Sequence, residues 1–189
     1  MRTSGEETKA RIERAAIAVF SRSGITGASI KEIAKAAGVS QGAMYNHYTS
    51  KEELAWELFS RSWGEIGTEL RHRAREGTTL RQKLRAAIQY VFDLYEEDPE
   101  LVTFVYFSRH EHLRRVRASM PNPYMVFRLI IAEAMKRGEI PHRNPEVVTA
   151  MTAGILIQMI DSKALGRIRE NLSQLTDTVT DGCYRLLAA

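Results

Sequence analysis

Helical spacing leaves this chain little choice of fold. Apolar residues recur three and four positions apart along almost its whole length, and nowhere do they alternate with period two for long enough to build a sheet. Start and stop signals punctuate the pattern. Ser4-x-x-Glu7 is a capping box ahead of the stripe Ile12, Ala15, Ala16, Val19 and Phe20, with Gly24 as its end. Ser29-x-x-Glu32 opens a short helix whose buried face is Ile30, Ile33, Ala34 and Ala37, and Gly38 stops it. Ser40 caps a third helix, and Ser50-x-x-Glu53 opens a long fourth one that runs to Gly77. Thr79-x-x-Gln82, Asp98-Pro99 and Asn144-Pro145 start further helices, "MPNPY" at 120–124 breaks the chain, and a last helix is expected from about Glu170 to Leu187. The expectation is an all-α fold of about nine helices.

Charge is unevenly placed along these helices. Residues 1–51 carry eight basic side chains against four acids, whereas the remaining nineteen basic and nineteen acidic residues balance. A basic N-terminal quarter on a neutral body is the footprint of a head that binds a polyanion. One cysteine excludes an internal disulfide and fits a thiol in a reducing cytoplasm. No secretory leader is recognisable, and "AGILIQMI" at 153–160 is far short of a membrane span, so the expected location is cytoplasmic, with no membrane partner.

The stretch "AGVSQGAMYNHYTSKEEL", residues 37–54, shows many flat or polar side chains and little apolar surface for a pair of helix junctions. Two short helices joined through "AAGVS" meet the demands of a helix-turn-helix: Gly38 tolerates positive φ, Ala34 and Ala37 permit close crossing, Val39 fills the gap and Ser40 caps the second helix. A plain bundle hairpin would need an apolar stripe that residues 41–47 lack. As a recognition helix, Gln41-Gly42-Ala43 is slim enough for a major groove: Gln41 can read adenine, Ala43 can touch a thymine methyl, and Asn46 is a second base reader. Tyr45 and His47 lie toward the groove walls, Lys51 and the N-terminus of the fourth helix attract phosphate, and Ser29 and Lys31 can clamp the backbone on the other side. Met44 and Tyr48 face the core.

The run from Ser29 to Leu54 resembles the DNA-binding domain of the TetR family of regulators. The likeness covers roughly residues 8–60 and rests on Ile33-Ala34-x-x-Ala37-Gly38-Val39-Ser40, on the Tyr45-x-His47-aromatic tail, and on Ser50-Lys-Glu-Glu-Leu54. It implies nine helices, a two-fold dimer and DNA contacts from the second and third helices. Carried over by position, Tyr45, His47 and Lys51 hold phosphate, while Gln41, Gly42, Ala43 and Asn46 face bases. Ile25 stands where an aromatic is common, Tyr48 where Phe is common, and Ala28 where Thr is often found, which removes one phosphate contact.

Beyond residue 60 the likeness is architectural, with "Arg137-Gly-Glu-Ile140" as its local echo. The division expected is a DNA-binding domain at 1–50 and a ligand-binding and dimerisation domain at 51–189. Trp63, Tyr90, Phe104, Phe107, Tyr124, Phe127, Met151 and Met159 are candidates to line a pocket for an apolar or aromatic effector, against the bland alternative that most fill the core. Val147, Ala150, Gly154, Ile155, Leu172, Leu175, Val179 and Leu186 are candidates for a dimer interface made by the last two helices. His110-Glu111-His112 is not expected to bind metal, because positions two apart on a helix diverge; the run from Arg109 to Arg117 reads as a solvated basic loop. Asp161 can pair a ligand amine or end a face, and His72 and His142 have no neighbours suited to ligation. No cofactor is expected.

The function expected is a transcriptional regulator, a repressor that binds a palindromic operator as a dimer and is released by a small effector. An enzyme on a helical scaffold finds no support in a phosphate-cradling loop, a nucleophile elbow or a paired His and carboxylate. A ligand-binding module whose head recruits protein is the third reading, and the phosphate-contact set on the third helix argues against it.

Overall fold

Local capping chemistry decides where most of the helices start. The computed structural model describes residues 4–116 and 121–189, so Arg117 of the basic run and Met120 of the break motif lie outside the described residues. Among the described residues there are nine α-helices and no strand: α1 Ser4–Gly27, α2 Ile30–Ala37, α3 Gln41–Tyr45, α4 Lys51–Arg75, α5 Leu80–Glu97, α6 Pro99–His112, α7 Pro123–Lys136, α8 Pro145–Ala164 and α9 Thr176–Ala188, with 3-10 turns at Leu113–Arg115 and Leu172–Leu175. Ser29 and Thr79 form complete capping boxes with Glu32 and Gln82. Asn122 and Asn144 cap α7 and α8, each with proline next in line. Ser50 accepts from the Glu53 amide at 3.1 Å, but the Glu53 carboxylate reaches back to Thr49 rather than to Ser50.

Gly24, at φ 67 and ψ 169, leaves the helical conformation and ends the long first run of α1 as expected; a short further turn follows and buries Ile25. Two expectations need correction. The last helix begins at Thr176, not near Glu170, because tertiary contacts hold the preceding turn: the Leu172 amide donates to Glu96 at 2.7 Å and the Ser173 hydroxyl to Asp93 at 2.7 Å. Residues 109–112 are the end of α6 and not a solvated loop; His112 is only 5% exposed, its ring 4.8 Å from that of Phe59 and 5.7 Å from that of Trp56. Ser4 is already the first residue of α1, so the position before it falls outside the described residues.

The chain packs as two units, each with its own core. The first takes residues up to Ser62 together with Glu100–Val116, and so includes the first half of α4 and all but the start of α6 beside α1, α2 and α3. Its core is made of Ile12, Ala16, Phe20, Ile33, Met44, Tyr48, Leu54, Leu58, Phe59 and Phe104, with Phe20 and Phe104 stacked at 5.6 Å. The second holds the rest of α4 with α5, α7, α8 and α9; α5 packs on α9 and α7 on α8 around Leu84, Ile88, Phe92, Phe127, Ile131, Leu156, Ile160 and Cys183. In this unit a side chain at Gly67 would come within 2.5 Å of the Asn122 backbone, so α4 and the start of α7 can approach only with glycine there. The "Arg137-Gly-Glu-Ile" motif has a structural purpose: Gly138 turns the chain at φ 70, and Glu139 accepts from the Leu80 amide at the start of α5 at 2.6 Å.

Candidate nucleic-acid interface

The geometry of the head starts at Gly38. Its left-handed conformation, φ 65 and ψ 39, closes α2 with the Val39 amide bonded back to Ala34 at 3.0 Å. Ser40 then caps α3 by accepting from the Ala43 amide at 3.1 Å. Arg11 of α1 lies under the turn and donates to the carbonyls of Ala37 at 2.6 Å and Gly38 at 3.0 Å. That clamp was not read from the sequence, because Arg11 and its acceptors are far apart along the chain.

α3 has only five residues, so it divides into inward and outward side chains with little between. Met44 is completely buried and Tyr48 nearly so, as expected of the core pair. Gln41, Gly42, Tyr45 and Asn46 are exposed, Tyr45 at 57%, while Ala43 and His47 are half-buried. Asn46 terminates the helix as its C-cap. Of the residues expected to face bases, Gln41, Gly42 and Asn46 are exposed and Ala43 is half-buried; of those expected at phosphate on this segment, Tyr45 is exposed and His47 half-buried. Lys31 and Lys35 add exposed positive charge from α2.

Two expected phosphate contacts already have partners inside the protein. The Ser29 hydroxyl donates to Glu32 at 2.8 Å while capping α2, so a phosphate would compete with the cap. Lys51 donates to the carbonyls of Ala28 at 2.7 Å and Thr26 at 3.0 Å, which uses two of its three N–H groups to hold the α1–α2 junction. Its charge nevertheless stands at the N-terminus of α4, where the helix dipole adds to it.

Tyr48 is the second feature that sequence reading passed over. Its hydroxyl donates to Glu13 of α1 at 2.8 Å, and the same carboxylate receives the Arg61 guanidinium of α4 at 2.7 and 3.3 Å. Burial raises the Glu13 pKa, but the bonds from Arg61 and Tyr48 outweigh it and hold the carboxyl below its usual range. Burial, and then the bond to Glu13, push the Tyr48 phenol far upward, so it stays a donor.

The pocket candidates are distributed more widely than expected. Phe104 is stacked in the first core and Phe107 is exposed on α6. In the second unit Trp63 and Phe127 are buried, and Tyr124 donates to the Glu146 carboxylate at 2.8 Å. Met151 is exposed and Met159 half-buried on α8. Tyr90 lines a cavity of about 290 Å³ with Arg73, Arg85, Gln89, Asp93 and Glu97. A second cavity of about 290 Å³ has an apolar wall of Ala74, Val126, Leu129 and Ile130 and a charged rim of Arg71, Arg75, Lys83 and Glu133. Among the described residues no cluster of three or more His, Cys, Asp or Glu is arranged to hold a metal. Asp161 accepts from Gln158 at 3.3 Å. Cys183 is buried, which pushes its thiol up to about 11.

The dimer candidates fall into two groups. Val147, Ala150 and Gly154 are exposed and, with Met151, form a strip along α8 at spacings of three and four; Ile155, Leu175 and Leu186 are half-buried. Leu172 and Val179 turn inward instead: Leu172 is wholly buried and Val179 is 8% exposed, because the turn before α9 and α9 itself pack on α5.

Comparison with known proteins agrees with this geometry. Residues 12–58 match the family model of bacterial regulatory proteins of the tetR family. The chain is 28% identical over 172 residues to the HTH-type transcriptional regulator UidR of Escherichia coli, covering 84% of this chain and 81% of that one. It is 36% identical over 95 residues to the HTH-type transcriptional activator FasR of Mycolicibacterium smegmatis, a match spanning 50% of this chain and 43% of the relative. In fold it superposes on FadR from Bacillus subtilis, solved in complex with stearoyl-CoA, with a TM-score of 0.74 at 21% identity, over 93% of this chain and 97% of that one. No helix among the described residues is long and apolar enough to cross a membrane. Residues 12–58 are thus a DNA-binding head of the TetR family of transcriptional regulators, in a chain that is helical throughout its described residues.

Proposed function

We propose that this regulator is a cytoplasmic, non-catalytic, two-fold dimeric repressor that reads a palindromic operator with α3 and is released by a small amphipathic effector. The observation that supports the DNA reading is how little of this segment the protein buries: Met44 and Tyr48 are buried, while Gln41, Gly42, Tyr45 and Asn46 are exposed. Gln41, Gly42, Ala43 and Asn46 face bases; Tyr45, His47, Lys31, Lys51 and Ser29 face phosphates.

The exposed strip of Val147, Ala150, Met151 and Gly154 supports pairing of α8 with a second copy, since large apolar side chains border small ones that admit a close helix. Two-fold pairing sets two recognition helices one DNA turn apart, about 34–36 Å. For the effector, the cavity that sets Ala74, Val126, Leu129 and Ile130 beside Arg71 and Arg75, with Lys83 paired to Glu133 at 2.7 Å, supports an apolar body carrying an anionic group. The stearoyl-CoA bound by the Bacillus FadR has that character and is the first ligand class to try. The effector acts by shifting α4, and it must bind the free and operator-bound forms with different affinity.

DNA selected from a random-sequence library and titrated by fluorescence anisotropy tests this reading. Gln41→Ala should relax preference at one base pair, whereas Tyr45→Phe and His47→Ala should weaken binding on all sequences alike. Uniform loss for all three variants would remove Gln41 as a base reader. A reporter fused to the selected site separates repression from activation, the role for which FasR is named.

A further inference from the structure

Glu13 has no part in the DNA contacts, yet three helices converge on it. Its carboxylate lies on α1 with a side chain only 14% exposed. One oxygen accepts the Tyr48 hydroxyl at 2.8 Å, just beyond the end of α3; the other accepts the Arg61 guanidinium of α4 at 2.7 Å. Lys9, one turn before Glu13 on α1, reaches α4 as well, donating to Glu57 at 2.8 Å, and its ammonium stands 5.6 Å from the Tyr48 ring centre. The backbone gives α3 little independent anchoring, since it has five residues and the amides just beyond it, those of His47 and Tyr48, both bond to the Met44 carbonyl. The orientation of so short a helix is set by what its side chains hold.

We propose that Glu13 is a positioning residue that latches the recognition helix to α4: its two oxygens, shared between Tyr48 and Arg61, make the tilt of residues 41–48 depend on where α4 lies. The inference rests on the reading of α3 as the DNA-contacting helix. It assigns a function to the hydroxyl of Tyr48, at a position where the resembling domains commonly have Phe. A displacement of α4 that pulls Arg61 off the carboxylate leaves Glu13 with one cationic partner fewer in a largely buried place, and weakens the hold on Tyr48 at the same time. A shift of the Arg61 turn of α4 is thereby passed to residues 41–48 through Glu13, with Lys9, which bonds Glu57, beside it.

The test uses the full-length protein with Tyr48→Phe, Arg61→Ala, the double variant and Glu13→Gln. Each single loss of a bond should weaken specific DNA binding about fivefold, the size of one hydrogen bond lost. In the double variant the loss should stay near that of one single variant, because both act through the same carboxylate. Hydrogen exchange of the amides from Met44 to Tyr48 in the free protein should quicken in Arg61→Ala, although Arg61 is on another helix, and Arg61→Lys should restore part of the protection. Losses that multiply in the double variant, or exchange at 44–48 that is unchanged by Arg61→Ala, would overturn the latch. Failure of the wild-type protein to select any DNA sequence would instead overturn the DNA reading, with the exchange result still judging the latch.

Discussion

Replacing Gly38 by alanine tests how the turn of the head is held. The residue sits at φ 65, where an L-residue with a side chain is disfavoured, and the added Cβ would come within 2.7 Å of Arg11 Nη2. The backbone term alone costs about 1–2 kcal/mol. Displacing Arg11 from the Ala37 and Gly38 carbonyls adds about 1 kcal/mol once the exposure of the guanidinium is allowed for. A total of about 2–3 kcal/mol in a chain of this size lowers the melting temperature by about 4–12 °C. Thermal unfolding by circular dichroism reads this directly, with Arg11→Ala and the double variant as controls. Because the double variant removes the clash, its loss should be smaller than the two single losses combined. A drop of under 1 °C for Gly38→Ala, or strictly additive losses, would refute both the left-handed requirement and the clamp.

Three further outcomes follow from the packing. Burial, and then Arg115 beside it, hold the His112 imidazole below its ordinary pKa, so the unfolded chain takes up a proton near pH 6.5 that the folded chain refuses. Stability contributed by neutral His112 is present above that pH and is lost as pH falls toward the folded value; between pH 7.5 and 5.5 the wild-type melting temperature should fall further than that of His112→Phe, and parallel falls would contradict this. Met151→Glu should shift the protein from dimer to monomer in analytical ultracentrifugation and weaken DNA binding without lowering the melting temperature of the protomer; an unchanged dimer would move the interface away from the α8 strip. Leu172→Ala should cost about 2–5 kcal/mol by urea unfolding while leaving dimerisation in the folded protein intact, since its side chain is wholly buried within the protomer.

What the sequence makes legible is what depends on near neighbours. The Ser29 and Thr79 boxes, the Ser40 cap, the Gly38 turn and the proline starts at Pro99 and Pro145 are set by residues within four positions, and they stand where the spacing predicts them. The inward pair Met44 and Tyr48 was readable for the same reason, since helical period fixes opposite faces. Arg11 on Gly38, and Tyr48 and Arg61 on Glu13, join residues 27, 35 and 48 positions apart, and no local pattern marks them. Period also cannot say which neighbour covers an apolar face. Leu172 and Val147 look alike in sequence, yet one is buried against α5 and the other is 55% exposed. His112 shows the same limit: set in a run rich in charged residues, it is carried by the helix into contact with Trp56 and Phe59.

The central claim is that the exposed side of α3 reads DNA, and a salt titration against selected and scrambled duplexes tests it most directly. With Lys31 and Lys51 as the phosphate-facing cations on each of two protomers, about four phosphates are neutralised, and log K should fall against log salt with a slope of about −4. The account predicts that steep slope together with binding to the selected duplex about a thousandfold tighter than to the scrambled one near physiological salt. Equal affinity for both duplexes, with a slope near zero, would contradict it.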